Sequence, residues 1–366
     1  MALQIGIVGL PNVGKSTLFN ALTQAGATVA AYPFTTIEPN RGVTMVPDPR
    51  VAALAEMVGP EQVTPATVEF VDIAGLVRGA HCGEGLGNQF LGHIRAVDAV
   101  ALVCRCFADP NITHVDGMVN PVRDIQVLDL ELILADLEVV ERKLEKTRSA
   151  AKSNPREYGA ELKALEELRA RLQAGEKAAA WAASGSAKAA LARALSLLTA
   201  KKRVYVANVG EDALPDGGPL VQEIVRVAES EDAPIVVLCA QLEADLSEWP
   251  SDEAAAYRAE VGLMHSGLES LAQAGYMTLG LITFFTITGG QKVCAWPIRR
   301  GAKAPQAAGQ VHSQMERGFI RAEVVGFEQL VETGSWQAAR EQGILRTEGR
   351  DYEVQDGDVC LFRFSP

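Results

Sequence analysis

A chain of 366 residues with 48% apolar and 22% charged side chains has enough apolar material for two or three packed domains. Its longest apolar runs, at 99–103 and 279–285, fall well short of the roughly 20 residues that a membrane helix needs, and no basic segment leads into a signal-type core, so neither a membrane span nor export is expected and a cytoplasmic location is. A formal charge of −12 speaks against a protein that coats nucleic acid over its whole surface, and the six cysteines show neither zinc nor disulfide spacing.

The apolar run at 5–8 predicts a first strand. "GLPNVGKS" (9–16) follows at its end, and a helix is predicted from Thr17. This is G-x-x-x-x-G-K-[ST] in the strand-loop-helix context that the motif requires. Gly9 and Gly14 let the backbone fold so that the N–H groups of Asn12, Val13, Gly14, Lys15, Ser16 and Thr17 gather around phosphate at a helix N-terminus. Lys15 then reaches the β- and γ-phosphates, and the Ser16 hydroxyl is a ligand for Mg²⁺, which takes few protein ligands. "YPFTTIEPNRG" (32–42) offers Thr35 or Thr36 to complete the Mg²⁺ shell; Thr36 is favoured, and a plain turn is the alternative. In "VEFVDIAGL" (68–76), Asp72 closes a strand and Gly75 stands three residues later. That pairing puts Asp72 on the metal and the Gly75 N–H on the γ-phosphate. Ras-like switches carry a water-orienting Gln next, but Leu76 cannot hydrogen-bond water, so catalysis needs another group.

A glycine-rich stretch at 79–87 holds His81 and Cys82 and is expected to be mobile. A strand at 99–103 and a loop, "DPNITHVDGMVNP", containing His114 come next. The texture then changes. Leu130, Ile133, Leu137, Val140 and Leu144 recur at steps of 3, 4, 3 and 4, a coiled-coil spacing. "KSNPREYG" interrupts the stripe, and Tyr158, Leu162, Leu165, Leu168 and Leu172 resume it. Two antiparallel helices forming an arm are therefore expected, with an ordinary helical subdomain as the alternative. Residues 124–203 hold 15 Lys and Arg against 12 Asp and Glu, a local excess of three positive charges. Strand-like runs return at 204–207 and 235–239, so the arm is an insertion. From 279, short strands (282–287, 293–296, 321–325, 359–364) predict a separate small β-rich domain. The expected division is 1–123 with 204–278, then 124–203, then 279–366.

"NVGE" (208–211) stands where a guanine switch carries Asn-Lys-x-Asp. The Asp of that motif accepts two hydrogen bonds that only guanine can give, and a bidentate pair of this kind is worth about 1–3 kcal/mol. Glu211 is one methylene too long for that geometry, and Val209 lacks the Lys stem that covers the base. Selection against adenine should be lost. Asn208 and backbone groups can meet an adenine edge, with Cys239, Ala240 and Gln241 as the last wall; a simple cap by Asn208 and Glu211 is the plain alternative.

GLPNVGKS, YPFTTIEPN, DIAGLVRGA, the helical insertion, NVGE and the C-terminal part together resemble the YchF family of Obg-like ATPases, within the translation-factor-related P-loop GTPases. The resemblance implies an α/β P-loop NTPase G domain with an inserted coiled-coil arm and a C-terminal β-grasp (TGS) domain. It implies slow hydrolysis of ATP in preference to GTP and association with ribosomes; contact with the large subunit and a monomeric state are further expectations, which the resemblance does not itself supply. It points to His114 as the residue that positions water in place of the missing Gln, a role that suits a neutral imidazole. A K⁺ ion beside Asn12 is an open alternative. Some relatives carry Cys where this chain has Thr35, so their thiol switch is not implied. The TGS resemblance and the mildly basic arm both suit an RNA partner; Arg299, Arg300 and Lys303 cluster in "PIRRGAKAPQ", where a solvated surface is the alternative. A small-molecule kinase is disfavoured, since no arginine-rich lid segments are present. A non-catalytic adaptor stays open because of Leu76.

Overall fold

The computed structural model describes residues 3–27, 40–73, 86–115 and 117–365. Its strands are β1 (Gln4–Val8), β2 (Arg41–Met45), β3 (Gln62–Thr64), β4 (Thr67–Asp72), β5 (Ala99–Cys106), β6 (Lys202–Val209), β7 (Ile235–Leu238), β8 (Leu281–Thr288), β9 (Lys292–Arg299), β10 (Phe319–Gly326), β11 (Arg346–Glu348) and β12 (Asp358–Phe364). One sheet has the order β2-β4-β1-β5-β6-β7, and its four pairings from β4 to β7 are parallel. Parallel sheets are covered on both faces, so their inner strands read as unbroken apolar runs rather than alternating ones. All eight residues of β5 are buried accordingly. The register aligns Ile7 with both Asp72 and Ala101, and Asn208 with Arg105 and Leu238. The strand ends that carry the motifs therefore meet along one carboxyl edge, where open α/β sheets bind ligands.

The second sheet is mixed, in the order β11-β10-β12-β8-β9-β3. Phe284, Ile298, Phe319, Val324 and Phe362 form its core with Ala304, Ala307 and Ala308 of the helix Ala304–Val311, whose alanine face packs on the sheet. Two compact units result: Met1–Gly42 with Glu69–Leu271, and Val43–Val68 with Ala272–Pro366. This differs from the division drawn on sequence, which kept 43–68 in the first domain. The physical reason is local. β3 runs parallel to β9, with Val63 opposite Val293, and Arg50 bonds Asp356 at 3.0 Å and lies over the Phe285 ring.

In the first unit, the helix Pro121–Ser153 begins with Pro121 behind an Asn120 cap whose side-chain oxygen accepts the Arg123 N–H at 2.9 Å. Asn154 breaks it, and Pro155 starts the helix Pro155–Gln173. Val140, Leu144, Leu165, Leu168 and Leu172 are buried between the two helices. Leu130 corrects the heptad expectation: it is 54% exposed, while Ile125, Leu128 and Leu132 are buried instead. That end of the helix packs on β5 and on the helix Gly218–Ser230 rather than on its hairpin partner, so its apolar face turns.

Candidate nucleotide site

β1 ends at Val8, and the helix Lys15–Ala27 starts seven residues later, with Leu18 N donating to Gly14 O at 3.0 Å. Asn12 (φ 63°) and Gly14 (φ 93°) both hold the left-handed conformation. Turns of this kind make backbone N–H groups converge into an anion nest, here in front of a helix N-terminus. Close approach fixes the two glycines: a Cβ on Gly9 would lie 2.6 Å from the Val103 carbonyl, and one on Gly14 would lie 2.2 Å from Asn208 Nδ2. Val13 is buried and anchors the loop, whereas Asn12 is exposed and its Nδ2 donates to Thr113 O at 3.1 Å.

Lys15 is half-buried. Burial pushes its amine down, and the negative charge of Asp72 partly opposes that shift. Asp72 Oδ1 is buried without a hydrogen-bond partner at the end of β4, while Ser16 is exposed in the first turn of the helix and Thr17 is half-buried. An unfilled carboxylate oxygen and a hydroxyl are the hard oxygen donors that Mg²⁺ takes, and this pair fits the ion, with phosphate and water completing the shell. Thr36 and Gly75 lie outside the described residues, as do Thr35, Leu76, His81 and Cys82.

At the other end, Asn208 is 4% exposed and its amide is committed to the protein: Nδ2 donates to Val13 O at 2.9 Å, and Oδ1 accepts the Ala240 N–H at 2.9 Å. It ties the phosphate loop to the start of the helix Ala240–Leu246. Val209 is buried at the end of β6, and Cys239 is buried just before Ala240, with burial pushing its thiol up. Glu211 sits in an exposed turn, where its Oε1 accepts the Tyr257 hydroxyl at 2.5 Å and holds that phenol above its ordinary value. Tyr257, 46 residues further on, carries no signal in the sequence that could have linked it to Glu211.

His114 is buried among the described residues. Its side chain is 2% exposed, and Nε2 lies 2.9 Å from Oδ2 of Asp124, itself 4% exposed in the first turn of the helix Pro121–Ser153. The loop before it is strapped from beneath by Arg105, whose guanidinium donates to the carbonyls of Phe107 and Ile112 and stacks on the Phe107 ring. The residues that the structure brings together are thus Asn12 to Thr17, Asp72, Asn208, Val209 and Ala240, with the loop of His114 seated on Asn12. Nothing in the sequence marked Asp124 as the partner of His114.

A parallel sheet with an anion nest at its carboxyl edge, a half-buried lysine and a carboxylate near it define a P-loop nucleotide-binding protein. The family described as "50S ribosome-binding GTPase" matches residues 4–142, and the YchF-GTPase C-terminal family, described as a protein of unknown function (DUF933), matches residues 281–365. The chain is 48% identical over 367 residues to the "Ribosome-binding ATPase YchF" of Bacillus subtilis (strain 168), and 48% identical over 365 residues to that of Escherichia coli O157:H7, covering 100% of both chains in each case. The solved structure of the Schizosaccharomyces pombe YchF GTPase superposes with a TM-score of 0.89 at 35% identity, covering 99% of this chain and 97% of that one. The chain belongs to the YchF family. No helix among the described residues is long and apolar enough to cross a membrane.

Proposed function

We propose that this chain is a ribosome-associated NTP hydrolase that binds ATP in preference to GTP and hydrolyses it slowly, in the cytoplasm and as a monomer. The ribosomal partner is supported by the names of its relatives, which are called ribosome-binding. Those names divide on the base, since the Bacillus subtilis protein is called an ATPase and the Schizosaccharomyces pombe structure a GTPase. The observation that carries the ATP reading is the Tyr257 hydroxyl on Glu211. Guanine selection requires a carboxylate whose oxygens face the N1–H and the 2-amino group. Here the acid at that position is longer and is engaged by a neighbour, so the pocket keeps no means of preferring guanine.

Lys15 and the loop N–H groups hold the phosphates; Ser16, Asp72 and Thr36 are assigned to Mg²⁺, which neutralises phosphate charge when bound. Gly75 N–H is assigned to the γ-phosphate. A K⁺ site at Asn12 would use its Oδ1, the acceptor end of the amide, while Nδ2 donates to Thr113 O. His114 is assigned to the attacking water, and its burial against Asp124 accords with slow turnover. The same burial favours a second reading, a nucleotide-dependent adaptor that does not hydrolyse. Large-subunit and RNA contacts are assigned to the C-terminal unit, around Arg299, Arg300 and Lys303, and to the arm.

A competition titration of the purified chain with ATP and GTP tests the base. ATP should win by a modest factor, on the order of tenfold, and equal or tighter GTP binding overturns the reading. Phosphate release followed in the same samples, with and without ribosomes, separates hydrolase from adaptor.

A further inference from the structure

Several cations of the helical hairpin, and Lys188 of the helix Ser186–Ala194, are held in ion pairs. Lys143, Arg148 and Lys188 pair with Glu161, Glu166 and Glu167 at 2.7, 2.9 and 2.9 Å, and Arg171 pairs with Glu176 at 3.1 Å. Lys146, Lys152, Arg156 and Lys163 are exposed and make no ion pair or side-chain hydrogen bond. These four surround the break at Asn154. At a rise of about 1.5 Å per residue they all lie within roughly 15 Å of it along the two helices, at the end of a hairpin whose longer helix spans about 50 Å. Residues 145–163 hold five basic side chains against three acidic ones, on a chain of net charge −12. Two of those three acids are already engaged, Glu157 by Asn154 Nδ2 at 2.6 Å and Glu161 by Lys143.

What surrounds the charges narrows the partner. Ser149, Ser153, Gly159 and Ala160 are small and exposed, and a Cβ on Gly159 would meet nothing within 4 Å, so nothing bulky keeps a polyanion away. No large apolar side chain is exposed between 145 and 163. A protein interface needs buried aromatic or aliphatic anchors at its centre, whereas a phosphate backbone is held by Lys and Arg without any. Half-buried Tyr158, between Arg156 and Lys163 in sequence, adds a ring face on which an unpaired base can stack. We infer that the apex of the helical hairpin is an RNA-binding point, gripping phosphates through Lys146, Lys152, Arg156 and Lys163. The inference deepens the ribosome reading given above and rests on it.

The test uses the full chain and its Lys146→Gln/Lys152→Gln/Arg156→Gln/Lys163→Gln variant against two probes, a fluorescently labelled RNA hairpin and purified ribosomes, over about 50 to 200 mM salt. ATP affinity is measured alongside and should be the same in both proteins. Each phosphate contact contributes about 0.7 to 0.9 to the slope of log affinity against log salt. The variant should therefore lose roughly 3 from that slope on the hairpin, and bind both probes at least tenfold more weakly at the low-salt end. An unchanged slope and affinity for the hairpin overturn the inference. So does a variant that loses ribosomes but keeps the hairpin, which would place an acidic protein on the apex. Failure of the wild-type chain to bind ribosomes at any salt concentration overturns the ribosome reading itself, whereas ribosome binding shared equally by both proteins overturns the apex alone.

Discussion

Asn208 shows how one buried amide organises a site. It stands under Gly14 so closely that no side chain fits there, and it bridges Val13 O and Ala240 N. An amide used in this way positions the phosphate loop, and its contribution is felt by any nucleotide. Asn208→Ala leaves a buried carbonyl and a buried N–H without partners, at about 1–3 kcal/mol each. Affinity for ATP and GTP should then fall together, by roughly tenfold or more, with their ratio unchanged, and the melting temperature should drop. A titration in which the ratio moves would show instead that Asn208 reads the base. The sequence placed Asn208 at a strand end beside the nucleotide but could not say which atoms it would meet, because Val13 and Ala240 reach it only through the register of β1, β5, β6 and β7. His114 has the same lesson: its loop was visible, but a carboxylate waiting ten residues away on a helix not yet packed was not.

At the scale of elements, legibility followed the length and locality of the signal. Apolar runs announced β1, β5, β6 and β7, the Asp72 motif marked the end of β4, and the proline-marked break announced the hairpin turn; β3 and β11 have only three residues each, and β2 (RGVTM) has no apolar run to show. The heptad reading failed at Leu130 because spacing records which face is apolar, not which element covers it. Charge patterns between strands are equally invisible until pairing is known. β10 sets Glu323 beside Arg363 of β12 at 3.1 Å and Arg340 at 2.9 Å, with Arg321 directly across from Arg363. The hydrogen bond from Arg363, with Arg340 adding to it, holds the Glu323 carboxyl below its ordinary value. An acid with a lowered folded pKa binds fewer protons folded than unfolded, so its stabilisation is complete above the ordinary carboxylate value and vanishes as pH falls through the lowered one. Screened by solvent, it should contribute about 0.5 kcal/mol. Glu323→Gln should accordingly unfold slightly below wild type near neutral pH and match it in strong acid; thermal melts at both ends of that range check the sign.

For the molecule as a whole, the decisive fact is that the chain enters the second unit twice. Residues 43–68 fall between the segment holding Thr36 and the strand ending at Asp72, yet they belong with Ala272–Pro366. β3 finds its ladder on β9, and Arg50 finds Asp356 and the Phe285 ring. A strand of three residues and an arginine have no means of holding themselves in place: isolated short strands are marginal, and an exposed edge is a liability. Linear composition cannot reveal this, because the partners lie some 230 to 310 residues downstream. The consequence is that a cut at the expected boundary of 279 parts residues 43–68 from the strand they pair with. A fragment ending at residue 278 keeps every strand of the parallel sheet but strands 43–68 without β9, Asp356 or Phe285. Limited proteolysis of that fragment should cut first within 43–68, at sites that stay protected in the full chain, and its melting temperature should fall. Should the fragment resist protease there as well as the intact protein does, residues 43–68 would be folding on contacts of the first unit, and the two-pass arrangement would have to be abandoned.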